Sequence, residues 1–150
     1  MPTVPLTEHF TLQEFTASQT AARMGISNMP KDKATYDRIK RTAETMEKVR
    51  TLLGAKPILI SSGYRCPEVN TACGGSSTSA HMSGLAADWT CPGFGDPEAI
   101  CKFLQPHMQE LAIDQLIWEY DSWVHLGLTD GTPRYMAMTI DNSGTRTGFA

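Results

Sequence analysis

The chain has 150 residues and a formal net charge of −3, with 41% hydrophobic and 19% charged residues. That length suits one domain able to bury a sizeable core, and so mild an acidity leaves no electrostatic footprint for a nucleic acid or a membrane surface. No apolar run approaches the roughly 20 residues that span a bilayer, and the opening Met1-Pro-Thr-Val-Pro-Leu-Thr-Glu-His9 lacks the basic start and apolar stretch of a secretory signal.

Thr11-Leu-Gln-Glu14 has the form of a capping box, so a short helix is expected to follow to about Ala17. A second short helix is expected at Thr20–Met24 before Gly25, then a turn at Ser27-Asn-Met-Pro30. From Asp32 to Leu53 apolar residues recur at Ile39, Ala43, Met46, Val49 and Leu53, in steps of four, three, three and four. That is one buried stripe on a long amphipathic helix, with Gly54 as its stop. Pro57-Ile-Leu-Ile-Ser61 reads as a strand, Pro67 to about Cys73 as a short helix, and Gly74–Ser79 as a loop.

Leu85–Trp89 reads as a further strand, and Asp96-Pro97 opens a helix to roughly Gln105. Gln115–Glu119, Trp123–Leu128 and Tyr135–Ile140 read as strands, the first two antiparallel neighbours or one bent strand. Asp130-Gly131 carries a hairpin signal between the last two. Residues 145–150 read as a loose tail, and residues 1–30 as a helical leader packed on the domain. Helices first and strands later predict a single α+β domain with a small, mostly antiparallel sheet and helices packed on one side. Cys66, Cys73, Cys91 and Cys101 are expected as reduced thiols, with a Cys73–Cys91 or Cys66–Cys73 bridge left open.

The chemistry concentrates in Ser79-Ala-His81-Met-Ser-Gly84-Leu-Ala86-Ala-Asp88. A histidine at the edge of a glycine-serine loop precedes an aspartate, and both are good zinc ligands. Gly84 lets the backbone turn sharply, and Ala86 lets it pass close to its neighbours. Asp88 interrupts an apolar run and so needs a partner. His125, in Trp123-Val-His-Leu126, is the candidate third ligand. On a continuous strand Glu119, Asp121, Trp123 and His125 share one face, because the side-chain period is two. Glu119 is then the candidate general base beside the metal, and a bend near Tyr120–Ser122 would bring in Asp121 instead. Three protein ligands leave room for a water whose pKa zinc lowers to roughly 7, and a neighbouring carboxylate can take its proton.

Ser79-x-His81-x-x-Gly84-x-Ala86-x-Asp88, followed by Trp123-Val-His125, resembles the zinc D-alanyl-D-alanine carboxypeptidase family. That family is grouped with phage endolysins, lysostaphin-type enzymes and the hedgehog domain. Ser61-Ser-Gly-Tyr-Arg65 resembles the family's strand-end Gly-Tyr-Arg. His9-Phe-Thr-Leu-Gln-Glu-Phe and Ser18-Gln-Thr-Ala-Ala-Arg-Met-Gly25 resemble the leader of its short phage and bacterial members, so the likeness covers nearly the whole chain. The resemblance implies Zn2+ held by His81, Asp88 and His125, with Glu119 as base. It implies a catalytic or substrate-binding Arg65 that grips a carboxylate or an oxyanion, and a substrate contact from Ser79. Trp123 joins these through its shared face.

The implied activity is hydrolysis of peptidoglycan stem or cross-link peptides by a monomer, as a carboxypeptidase or an endopeptidase. Made without a signal, such a protein would reach the wall after holin-type release or as part of a virion. The competing reading is a catalytically silent zinc-stabilised module that binds the wall or builds a virion. For single residues the plainer alternatives are a surface ion pair with Glu68 for Arg65 and a core position for Trp118 and Trp123. His9 and His107 have no evident partners and read as structural or exposed.

Overall fold

A computed structural model describes residues 3–149. The chain divides into two compact units, one of residues up to Glu47 with Ile60–Ala87, the other of Lys48–Leu59 with residues from Asp88 onward. The divisions fall inside one helix and inside two strands.

The first unit is built on helices whose ends the sequence encodes. Helix α1 (Leu12–Thr16) is closed by the Thr11/Glu14 capping box: the Thr11 hydroxyl accepts from Glu14 N at 3.2 Å, and Glu14 Oε1 accepts from Thr11 N at 3.0 Å. Phe10 and Phe15 meet edge to face with ring centroids 6.0 Å apart. Helix α2 (Gln19–Met24) starts on the Ser18 hydroxyl and stops at Gly25 in the left-handed region. Helix α3 (Lys33–Leu52) carries the expected stripe, with Ile39, Ala43, Met46 and Val49 at 0% exposure and Leu53 at 2%. The larger of these, Ile39, Met46, Val49 and Leu53, each contribute about 1.5–3 kcal/mol when fully buried. Strand β1 (Leu59–Ser62) and helix α4 (Pro67–Ala72) follow.

Asn28 ties the leader to the end of β1. Its Nδ2 donates to Thr16 O and Tyr64 O, both at 2.9 Å, and its Oδ1 accepts from Cys66 N at 2.8 Å. The side chain is buried and uses both its acceptor and its donors, so the turn at Ser27–Pro30 is a clamp as well as a turn.

In the second unit, strands β3 (Gln115–Glu119) and β4 (Trp123–Gly127) form an antiparallel hairpin with Glu119 opposite Trp123 and Ile117 opposite His125. Tyr120 and Asp121 both have φ of 52°, and Ser122 N donates to Glu119 O at 3.0 Å, the pattern of a type I′ turn. Helix α5 (Pro97–Leu104), capped by Asp96, packs on β3 and β4 and brings in the fully buried Ile100, Cys101 and Leu104. With β2 (Ala86–Thr90), β5 (Met136–Asp141) and β6 (Gly144–Thr147), the strands form one mostly antiparallel sheet in the order β1-β2-β4-β3-β5-β6. The α+β class read from the sequence holds.

Two expectations fail here. Asp130-Gly131 does not close a hairpin between β4 and β5, because β5 runs parallel to β3 on its other side. Asp114 directs that crossover: its carboxylate accepts from Arg134 N at 2.8 Å, from Nε at 3.0 Å and from Nη2 at 2.7 Å, while its carbonyl accepts from Met136 N at 2.8 Å. Nor is the C-terminus loose. Gly144–Thr147 pairs antiparallel with β5, the Thr139 hydroxyl donates to Gly148 O at 2.6 Å, and Phe149 is buried. An Asn142-Ser143 turn lets the chain fold back, and only then does a polar segment gain a partner strand; Ala150 lies outside the described residues.

Candidate metal centre

His81 sits in a single 3-10 turn, Ala80–Ser83. Ser79 caps that turn by accepting from His81 N at 3.2 Å, and Gly84 ends it with φ of 84°. Glycine is needed there twice over. The backbone is left-handed, and a Cβ would lie 2.8 Å from Ile39 Cγ1 and 3.0 Å from Thr35 O of α3. The Thr42 hydroxyl donates to Gly84 O at 2.8 Å and holds the turn on the helix. His81 Nδ1 lies 2.6 Å from Gly63 O. A carbonyl only accepts, so Nδ1 carries the proton and Nε2 keeps its lone pair for a metal.

Asp88 stands on β2 and His125 on β4, with Asp88 Oδ1 2.9 Å from His125 Nδ1. Glu119 Oε1 lies 3.7 Å from the same nitrogen. In the hairpin register, Ile117, Glu119, Trp123 and His125 share one face. The shared face expected for Glu119, Trp123 and His125 is present, but a turn produces it rather than a straight strand. Asp121 lies in that turn, exposed, where it accepts from Trp118 Nε1 at 3.2 Å.

His81, Asp88 and His125 are 3%, 6% and 8% exposed. Each offers a ligand atom, and these atoms lie within 4.8 Å of one another. Two imidazoles and a carboxylate, buried and converging, match the donor set that a three-ligand zinc site uses, and a shared cation would offset the cost of burying the carboxylate. The family model for Peptidase M15 matches residues 8–127. The chain belongs to the Peptidase M15 family. No curated protein matches the sequence. The family is one of zinc-dependent metallopeptidases, and the His/Asp/His cluster is the group of this M15 chain that could hold the ion. Among the described residues, no helix is long and apolar enough to cross a membrane.

Around the cluster of this M15 protein, Arg65 is held by its surroundings. Its Nε donates to the Ser62 hydroxyl at 3.2 Å, its Nη1 to Asn70 Oδ1 at 3.3 Å, and its backbone N to His81 O at 3.0 Å. Trp123 is half-buried, and its ring lies 5.7 Å from that of Tyr120. Its Nε1 is buried, with no hydrogen-bond partner among the described residues. All four cysteines are free, with Cys73 exposed and the others buried, so neither bridge left open is formed.

Asn70 and Asp114 escaped the sequence reading, and Asn28 and Gly63 were read only as part of a turn and of the Gly-Tyr-Arg motif, without the contacts they make. Asparagines in turn-rich segments read as turn formers, and an aspartate at a strand start reads as solvated. His9 and His107 do have acidic partners, Glu47 at 2.8 Å and Glu110 three residues on.

Proposed function

We propose that this chain is a zinc-dependent hydrolase of peptide bonds in the stem or cross-link peptides of bacterial peptidoglycan, of the phage-endolysin kind. The observation that supports this most is the pairing of the buried His/Asp/His cluster with a carboxylate that flanks it, Glu119 at 3.7 Å from His125. His81, Asp88 and His125 hold the ion. Zinc, when bound, supplies Lewis acidity that polarises the scissile carbonyl and makes water a stronger acid.

Glu119 takes a proton from the attacking water on Oε1 and later delivers it to the departing amine. Its side chain is 18% exposed, which suits a carboxylate that must exchange protons without being fully solvated. Arg65 supplies positive charge with a fixed fork of donors, matched to a substrate carboxylate or to an oxyanion. Gripping a free C-terminus makes the enzyme a D,D-carboxypeptidase; stabilising an internal carbonyl makes it an endopeptidase. Trp123 and Ser79 complete the substrate-binding set, Ser79 also acting through the turn it caps.

The test is mass spectrometry of purified peptidoglycan fragments after incubation with zinc-loaded protein and with its Glu119→Ala variant. A cleavage product formed only by the native protein is expected and identifies the bond. No product across several wall chemistries, with one zinc retained per chain, would instead assign a silent binding module.

A further inference from the structure

Asn70 is 2% exposed, although asparagine is usually a surface residue. Its side chain bridges two pieces of chain. Oδ1 accepts from Arg65 Nη1 at 3.3 Å, and Nδ2 donates to Ser76 O at 2.9 Å, in the glycine-serine loop that leads to His81. Its own backbone is fixed as well, with its N donating to Cys66 O and its O accepting from Gly75 N, both at 2.9 Å. Gly75 presses on the amide so closely that a Cβ there would lie 2.2 Å from Asn70 Oδ1. One rotamer of Asn70 is therefore enforced from several sides.

We infer that Asn70 is a positioning residue for Arg65, fixing the guanidinium so that substrate meets it already oriented; the inference rests on the proposed substrate role of Arg65. An unrestrained arginine has a long, flexible stem and loses rotamer entropy when a ligand freezes it. Ordering it beforehand moves that cost from binding to folding. The chain orders it at both ends. Asn28 holds the carbonyl before Arg65 and the amide after it, while His81 O accepts from Arg65 N. At the head, Ser62 takes Nε and Asn70 takes Nη1.

The acceptor and donor of Asn70 serve different partners, so two variants separate its roles. Asn70→Asp keeps an acceptor for Arg65 and loses the donor to Ser76 O; Asn70→Ala loses both. The first measurement is NMR of the Arg65 guanidinium. Resolved Nη signals are expected in the native protein and in Asn70→Asp, collapsing to an averaged signal in Asn70→Ala. Unchanged signals in Asn70→Ala overturn the inference whether or not the protein cleaves anything. The second is a double-mutant cycle on wall-peptide cleavage. Asn70→Ala is expected to lower kcat/KM about tenfold alone and to cost nothing further in an Arg65→Ala background. An equal loss in both backgrounds overturns it by making Asn70 a loop brace only. Absence of cleavage by the native protein, with the NMR change present, sinks the peptidase reading and leaves the positioning intact.

Discussion

Nδ1 of His81 lies 2.6 Å from the carbonyl oxygen of Gly63, and Gly63 in turn has no room for a side chain. A Cβ there would meet Phe15 O at 2.6 Å and Phe15 Cα at 2.8 Å. The last turn of α1 thus backs the backbone that sets the tautomer of a proposed ligand. Gly63→Ala is expected to weaken zinc binding about 10–100-fold, as losses of a ligand's outer hydrogen bond do, and to destabilise the fold by about 1–3 kcal/mol through overpacking. Competition with a chromophoric chelator, beside thermal unfolding of the apo protein, reads both. Native zinc affinity in this variant would show that the contact does not orient His81.

Glu119 and Asp121 are two residues apart but occupy different surroundings. Glu119 neighbours His125, whereas Asp121 accepts from the Trp118 indole in the exposed turn. Glu119→Gln is expected to lower kcat by about 10²–10⁴, the range for loss of a general base, with one zinc still bound. Asp121→Asn is expected to leave kcat unchanged. The opposite pattern in steady-state assays would transfer the base to Asp121.

Asp114 carries the pH dependence of stability that the crossover implies. The Arg134 side chain hydrogen-bonded to it holds its carboxyl below the usual carboxylate range, against the opposing effect of burial. With its folded pKa lowered, the native state binds fewer protons than the unfolded chain as the pH falls. The contribution is therefore complete above the unfolded value near about 3.9 and is lost as pH drops through the folded one. Asp114→Asn is expected to lose about 1.5 kcal/mol at neutral pH, the low end for charged hydrogen bonds, since the Arg134 head stands in water. Urea midpoints measured from neutral to acid pH should fall less steeply in the variant. Parallel curves would remove Asp114 from the account.

The thiols should divide by exposure. Burial pushes Cys101 up to about 12 and also raises Cys91, while Cys73 is exposed at the end of α4. A disulfide reagent at mildly alkaline pH is expected to titrate one thiol rapidly in the native protein and all four only after unfolding. Two or more fast thiols would show that the buried cysteines open to solvent.

What could be read from the sequence was what is local. The capping box at Thr11, the stop at Gly54 and the stripe from Ile39 to Leu53 each specify structure through neighbours within one or two turns. The ligand types were legible too, because histidine and aspartate inside apolar runs are conspicuous. Strand β6 was not, since Gly-Thr-Arg-Thr is exposed along its length and gains order only from β5. The order of β5 in the sheet was also hidden. It depends on Asp114 reaching Arg134, and Asp130-Gly131 offered a competing local signal. Glu119 was placed on the face of His125 by assuming a straight strand, although the turn at Tyr120–Ser122 performs the alignment.

That turn changes what the interval between Glu119 and His125 means. Because the two residues stand diagonally across paired strands on one face, their proximity is a matter of pairing and not of chain length. The tip at Tyr120–Ser122 is then a place where residues can be inserted without moving the carboxylate from the histidine, provided the Glu119–Trp123 pair survives. A longer tip could reach out over a bound peptide, so this hairpin offers a graft point at which substrate preference can diversify while the chemistry beneath it stays fixed.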